Sequence, residues 1–150
     1  MNIEVKQAAV NHIPEVADLF NQYRIFYKQP SDLNGAAAFI SERLHLQQSI
    51  IFIAVNQANG EVIGFTQLYP SFSSVSMKRS FILNDLFVAE SYRGHGAAQL
   101  LLDQAKSYAL VNGAKGLELS TAMDNSQAQR LYERNGFEKD EVYFHYYLSI

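Results

Sequence analysis

The sequence predicts an α+β chain of three layers, with a mixed, mostly antiparallel twisted sheet flanked by helices. Three observations carry that expectation. Two apolar, β-branched runs are joined by a turn at Asn59-Gly60. The second half alternates short apolar runs with stretches of helical periodicity. No repeat, linker or low-complexity tract interrupts the chain, so its 150 residues read as one domain spanning 1–150.

Residues 2–8 (NIEVKQA) alternate like a first strand. Asn11 then precedes IPEVADLFNQYRIFYK, where Pro14 falls in the first turn and its missing N–H does no harm. Ile13, Val16, Ala17, Phe20 and Tyr23/Arg24 recur at helical spacing. Pro30 ends this helix, and Ser31 or Asp32 can cap a second, DLNGAAAFISERLHL. SIIFIAV (49–55) and EVIGFTQLYP (61–70) are strands. Asn59 and Gly60 both tolerate positive φ between them.

KRSFILNDLFVAE (78–90) is a long strand, followed by a glycine-rich loop. Residues 97–111 form a helix with Ala98, Leu101, Leu102, Ala105 and Tyr108 on one face, stopped at Asn112-Gly113. GLELSTA (116–122) is a strand, SQAQRLYERNG (126–136) a helix closed by Gly136, and EVYFHYYLSI (141–150) a last strand. The expected order is β-α-α-β-β-β-α-β-α-β, antiparallel at first with β-α-β crossovers later.

Composition excludes several classes. Net charge is −3, so the basic field that nucleic-acid binding needs is absent. Without cysteine there are no disulfides, thiolate zinc sites or cysteine nucleophiles. His12, His45, His95 and His145 show no metal spacing. The N-terminus is polar, and no apolar run approaches the ~18 residues of a membrane span. A soluble, cytoplasmic protein is the expectation.

SYRGHGAAQ (91–99) is the stretch that carries chemistry. Gly94 and Gly96 let the backbone turn tightly and approach a ligand. The first-turn N–H groups of the following helix have no intrahelical partner, and the helix dipole adds positive charge there. Arg93 adds a full charge and a fork of donors. These features make a phosphate or pyrophosphate site; a strand-to-helix turn that needs glycine for geometry alone reads equally well. There is no GK[ST] for a P-loop. The loop lacks the last small residue of a dinucleotide fingerprint, and the acidic partner of that fingerprint is missing because Glu118 lies inside a strand.

With its surroundings, the loop resembles the acetyl-CoA site of the GNAT superfamily of N-acetyltransferases. The Arg/Gln-x-x-Gly-x-Gly/Ala signature is matched by Arg93-Gly94-His95-Gly96-Ala97-Ala98. LNDLFVAESY looks like the family's central strand, and Asn125 followed by LYERNGF (131–137) resembles its Asn…LYxxxGF block. YPSFSSVSMKRSFILNDLFV is similar to a branch that includes fungal acetyltransferases acting on histones, polyamines or D-amino acids. The chain departs from the pattern at Asn84, where a carboxylate is common.

The resemblance implies acetyl-CoA as acetyl donor and a primary amine of a small molecule, such as a polyamine or amino acid, as acceptor. The N–H groups of Gly94, His95, Gly96, Ala97, Ala98 and Gln99 would hold the pyrophosphate, with Arg93 shaping the loop or neutralising charge. The main chain of Leu86, Phe87 and Val88 would pair with pantetheine, the Val88 N–H facing the thioester oxygen. Asn125 would bond the cofactor arm. Tyr132 would protonate the leaving thiolate, since a phenol carries its proton at pH 7; packing beside Leu131 and Phe137 is its structural alternative.

The base is open between Asp85, acting directly or through water, and Asn84, which could only position that water. As consecutive strand residues they should face opposite ways. Tyr23, Arg24, Tyr27 and Tyr69 are candidates for acceptor binding, whereas Phe26 is expected to pack. Aromatics on both faces of 141–150 imply a second cover and a homodimer. Two other functions remain in view: acetylation of a protein lysine or N-terminus, and acetyl-CoA sensing without turnover.

Overall fold

The computed structural model describes residues Met1–Ile150, which form two compact units, Met1–Leu119 and Ser120–Ile150. In the first, β1 (Ile3–Gln7), β2 (Ile50–Asn56), β3 (Glu61–Ser73), β4 (Lys78–Val88) and β5 (Leu117–Glu118) form one sheet in the order β1-β2-β3-β4-β5. The first three pairings are antiparallel and β4–β5 is parallel, reached by the crossover helix α3 (Ala97–Val111). Helices α1 (Ile13–Phe26) and α2 (Leu33–His45) separate β1 from β2.

Each helix begins where the local chemistry allows. Pro14 sits in the first turn of α1, which starts at Ile13 as expected, after a single 3-10 turn at Val10–His12. At α2, the Asp32 carboxylate accepts from the Gly35 N–H at 2.9 Å, satisfying one of the orphan donors of that end. The β2–β3 turn departs from expectation in detail. Only Gly60 takes a positive φ (+74°), while Asn59 caps the strand by accepting from the Glu61 N–H at 2.9 Å.

β2 is buried from Ile51 through Asn56, so both of its faces are covered. On one side Ile51 and Ile53 join Val16, Leu19, Ile40 and Phe65 in a core cluster. On the other, the Tyr108 ring of α3 packs edge-on between Phe52 and Phe81, 5.5 Å from each. Burial of α3 falls on Ala97, Leu101, Leu102, Ala105 and Ala109, so its face is rotated slightly from the expected one. Phe65 is fully buried at the sheet centre; truncating such a residue to Ala costs about 3–5 kcal/mol.

The second unit contains α4 (Ser126–Arg134), shorter than the expected 126–136 stretch, and Gly136 beyond it at φ +89°. The expected strands differ more. β5 covers two residues instead of seven, and residues 141–150 form no strand. Alternating aromatics give a segment the propensity to pair, but a strand exists only with a neighbouring backbone to bond. The assigned elements end at α4. No helix is long and apolar enough to cross a membrane.

Candidate active site

The centre of the first unit's chemistry is a β-bulge. Gln67 on β3 lies opposite Asp85, but the next residue, Leu68, lies opposite Leu83. Asn84 is thus one extra residue on β4, and strict alternation fails at this point. The expectation that Asn84 and Asp85 face opposite ways is overturned in part. Asn84 is exposed and Asp85 only 3% exposed, yet Asn84 Nδ2 donates to Asp85 Oδ1 at 3.2 Å.

Asp85 is enclosed by donors. Gln67 Nε2 donates to its Oδ2 at 2.7 Å, and Tyr23 also hydrogen-bonds the carboxylate. Thr66 Oγ1 donates to the Asp85 carbonyl at 2.8 Å, fixing the backbone. Burial raises the Asp85 pKa above its ordinary 3.8, and the bonds from Gln67, Tyr23 and Asn84 pull it partly back. The result is a carboxylate held by hydrogen bonds and short of water, a condition that favours proton uptake. Gln67 is fully buried, and its Oε1 has no partner. The sequence reading passed over Gln67, although an amide inside the apolar run GFTQL was a visible signal.

Aromatic groups surround this point. The Tyr23 hydroxyl donates to the Asn84 carbonyl at 3.4 Å, and its ring meets Tyr27 edge-on at 4.9 Å. Tyr27 is exposed, in keeping with a contact surface. Arg24 donates to the Pro30 carbonyl at 3.4 Å and so helps close the α1–α2 connection. Tyr69, half-buried on β3, has its phenol pKa pushed up to about 12, first by burial and then by the Asp85 charge. Phe26 does not pack as expected: it is 55% exposed, with its ring 6.5 Å from Phe87.

Arg93 lies against these rings. Its Nε donates to the Val88 carbonyl at 3.0 Å, and its guanidinium sits 5.7 Å over Phe26 and 5.5 Å over Phe87. Of its two expected roles, this geometry fits shaping of the loop. Gly94 and Gly96 take φ of +82° and +88°, which side chains other than glycine rarely adopt. A Cβ on either would meet nothing within 4 Å, so the surface above the turn is open. Gly96 is the N-cap of α3, and no side chain caps the N–H groups that follow from Ala97, Ala98 and Gln99. An exposed main-chain cradle of this kind fits a diphosphate. His95 is exposed within it.

Leu86, Phe87 and Val88 end the strand beside that turn. β5 pairs only with Phe81 and Ile82, so the ladder on that side of β4 stops before these residues. That leaves their main chain on this side without a strand partner, as pairing with an extended ligand requires. Gly64, opposite Val88, is needed for close approach, since a Cβ there would lie 2.9 Å from the Phe87 carbonyl oxygen.

The remaining expected residues belong to the second unit. Asn125 is the N-cap of α4, its side-chain oxygen accepting from the Ala128 N–H at 3.2 Å. The Tyr132 ring packs edge-on with Phe137 at 5.7 Å. Two shallow clefts, one lined by Pro14, Asp18 and 59–62 and the other by 71–73 and 115–118, border neither Asp85 nor the glycine turn.

Comparison with known proteins gives a consistent picture. The chain is 53% identical over 148 residues to the uncharacterized N-acetyltransferase YhfO of Bacillus subtilis (strain 168), covering 99% of this chain and 98% of that protein. It is 32% identical over 75 residues to an L-ornithine N5-acetyltransferase of Arabidopsis thaliana, covering 50% of this chain and 33% of the plant protein. A solved crystal structure of a probable acetyltransferase superposes with a TM-score of 0.94 at 40% identity, covering 98% of this chain and 97% of that one. Residues 13–137 match the acetyltransferase (GNAT) family, a span that holds the bulge, the glycine turn and Tyr132. The fold and the family agree with the resemblance carried by Arg93–Ala98, and the chain belongs to the GNAT family of acetyltransferases as an N-acetyltransferase.

Proposed function

We propose that this N-acetyltransferase moves the acetyl group of acetyl-CoA to the primary amine of a small molecule by direct attack on the thioester. The observation that carries the reading is the bulge at Asn84–Asp85, which presents a buried carboxylate of raised pKa beside the open end of β4. An alkylammonium of pKa about 10 must lose its proton before it can attack. Asp85 takes that proton, directly or through a water held by Asn84. The amine nitrogen then bonds the carbonyl carbon, and negative charge on the carbonyl oxygen meets the Val88 N–H. When the carbon–sulfur bond breaks, Tyr132 protonates the departing thiolate.

The diphosphate of the donor is held by main-chain N–H groups of residues 94–99, and its pantetheine runs along Leu86–Val88. Asn125 contributes to the cofactor arm. Tyr23, Tyr27 and Tyr69 supply apolar and hydroxyl contacts to the acceptor, with Arg24 nearby on α1. Recognition of an amine by such faces includes cation–π attraction. The L-ornithine acetyltransferase among the relatives supports a small amine, as does the lack of a strongly charged docking surface at a net charge of −3. The active form in this reading is a cytoplasmic homodimer with one acetyltransferase domain over residues 1–150.

The test is release of free thiol from acetyl-CoA across polyamines, amino acids, aminoglycosides and a lysine-containing peptide. Release with a small amine is the expected result. Release with the peptide alone overturns the acceptor class, and tight donor binding without release overturns catalysis.

A further inference from the structure

Arg43 of α2 takes no part in the reaction proposed above, yet its surroundings are those of a group waiting for an anion. It follows Ile40 by three residues, which puts it on the same helix face as that fully buried core residue. Its side chain is only 20% exposed, and its guanidinium lies 4.5 Å over the Phe39 ring. Its Nε is buried and has no hydrogen-bond partner. Its ion pair is with the adjacent Glu42, Nη2 to Oε1 at 3.1 Å, and a partner that is 60% exposed holds such a pair weakly. A buried charged donor without an acceptor is costly, and a guanidinium fork is matched by a carboxylate.

The face of the sheet beneath Arg43 is the one that carries Asp85. Phe65, Gln67 and Tyr69 alternate along β3 and so share a face, and Phe65 packs in one core cluster with Ile40. Gln67 meets Asp85 on that face, and Tyr69 lies about 7 Å further along the strand. The charges of Asp85 and Arg43 both reach the Tyr69 phenol, acting on it in opposite directions. A path of rings joins the same two groups: Phe39 stacks on Phe20 at 5.5 Å, Phe20 on Tyr23 at 6.2 Å, and Tyr23 bonds Asp85. One end of this face therefore holds a carboxylate and the unpartnered Gln67 Oε1, both acceptors for an amine, while the other holds a cation that lacks its anion. We infer that the acceptor is an amino acid and that Arg43 selects it, the guanidinium holding the substrate carboxylate while the reacting amine lies at Asp85. The inference rests on the acetyl-transfer reading for what happens to that amine. A polyamine would bring a second cation toward Arg43 instead, so the group that holds an amino acid also repels its rival.

Acceptors that differ by one carboxylate test this: L-ornithine against putrescine, L-lysine against cadaverine, and L-phenylalanine against phenethylamine. Thiol release from acetyl-CoA gives kcat/KM for each, and calorimetry in the absence of the donor gives Kd. The protein should favour the acid-bearing member of at least one pair by about 10–100-fold, as one charge-assisted bond provides. Arg43→Met, which keeps an unbranched stem over Phe39, should bring that ratio close to one. Should Arg43→Met not fold, Arg43→Lys keeps the charge without the fork and should cut the ratio several-fold. No preference within any pair, or an undiminished preference in the folded variant, would overturn the inference. Absence of thiol release with every amine would overturn acetyl transfer instead, and the calorimetric ratio would still decide the role of Arg43.

Discussion

Replacing Gln67 by leucine tests the assignment of Asp85 as base without touching the carboxylate itself. Gln67 is fully buried and donates to Asp85 Oδ2 at 2.7 Å. A hydrogen bond to a charged group contributes about 1.5–3 kcal/mol, and here it favours the ionised carboxylate. Because 1.36 kcal/mol corresponds to one pH unit, losing the bond should move the acid limb of kcat/KM up by about one to two units. The variant should recover on the alkaline side, where Asp85 is ionised in both proteins. Leucine also removes the unpartnered Oε1, which offsets part of the stability lost with the bond. The assay is the pH profile of kcat/KM for thiol release, measured on both proteins with the same amine. An acid limb that stays in place in a folded Gln67→Leu variant would refute Asp85 as the titrating base.

Other expectations follow from single residues. Gly96→Ala places a side chain at φ +88° in open space, so its cost is conformational, about 1–2 kcal/mol. That corresponds to a fall in Tm of about 2–8 °C by calorimetry, with a raised KM for acetyl-CoA. The raised pKa of Asp85 means the folded state prefers its protonated form. Its favourable contribution is complete below the ordinary 3.8 and is lost as pH rises through the folded value. Asp85→Asn should therefore raise Tm near pH 7, with the gain vanishing in acid, while kcat/KM falls and its acid limb disappears. Tyr132→Phe should lower kcat by roughly 10²–10⁴ if the phenol protonates the thiolate; full turnover at saturating amine would remove that role.

Much of this was readable from the chain because the signals were local. Helix α3 spans 97–111 as its periodicity requires, Asp32 caps α2, and Gly60, Gly113 and Gly136 all take positive φ where turns were expected. The glycine turn at 94–96 likewise declared itself through residues that other side chains cannot replace. The bulge did not, because one extra residue at Asn84 leaves no mark on a period-two pattern and is decided by pairing with β3. That single insertion is what allows Asn84 to bond Asp85. Residues 141–150 read as strand-like from their alternating aromatics but carry no strand assignment, since a strand is defined by its pairing and not by local propensity. Phe26 was misjudged because an aromatic at the end of an amphipathic helix gives no sign of whether core or water lies beyond it.

The donor site is tested most directly by calorimetry that compares acetyl-CoA with S-acetylpantetheine, which keeps the thioester arm and lacks the diphosphate. If the main-chain donors of 94–99 grip the diphosphate, acetyl-CoA binds each chain once, and the truncated thioester binds far more weakly. Equal affinity for both ligands, or no heat with acetyl-CoA, would contradict the account.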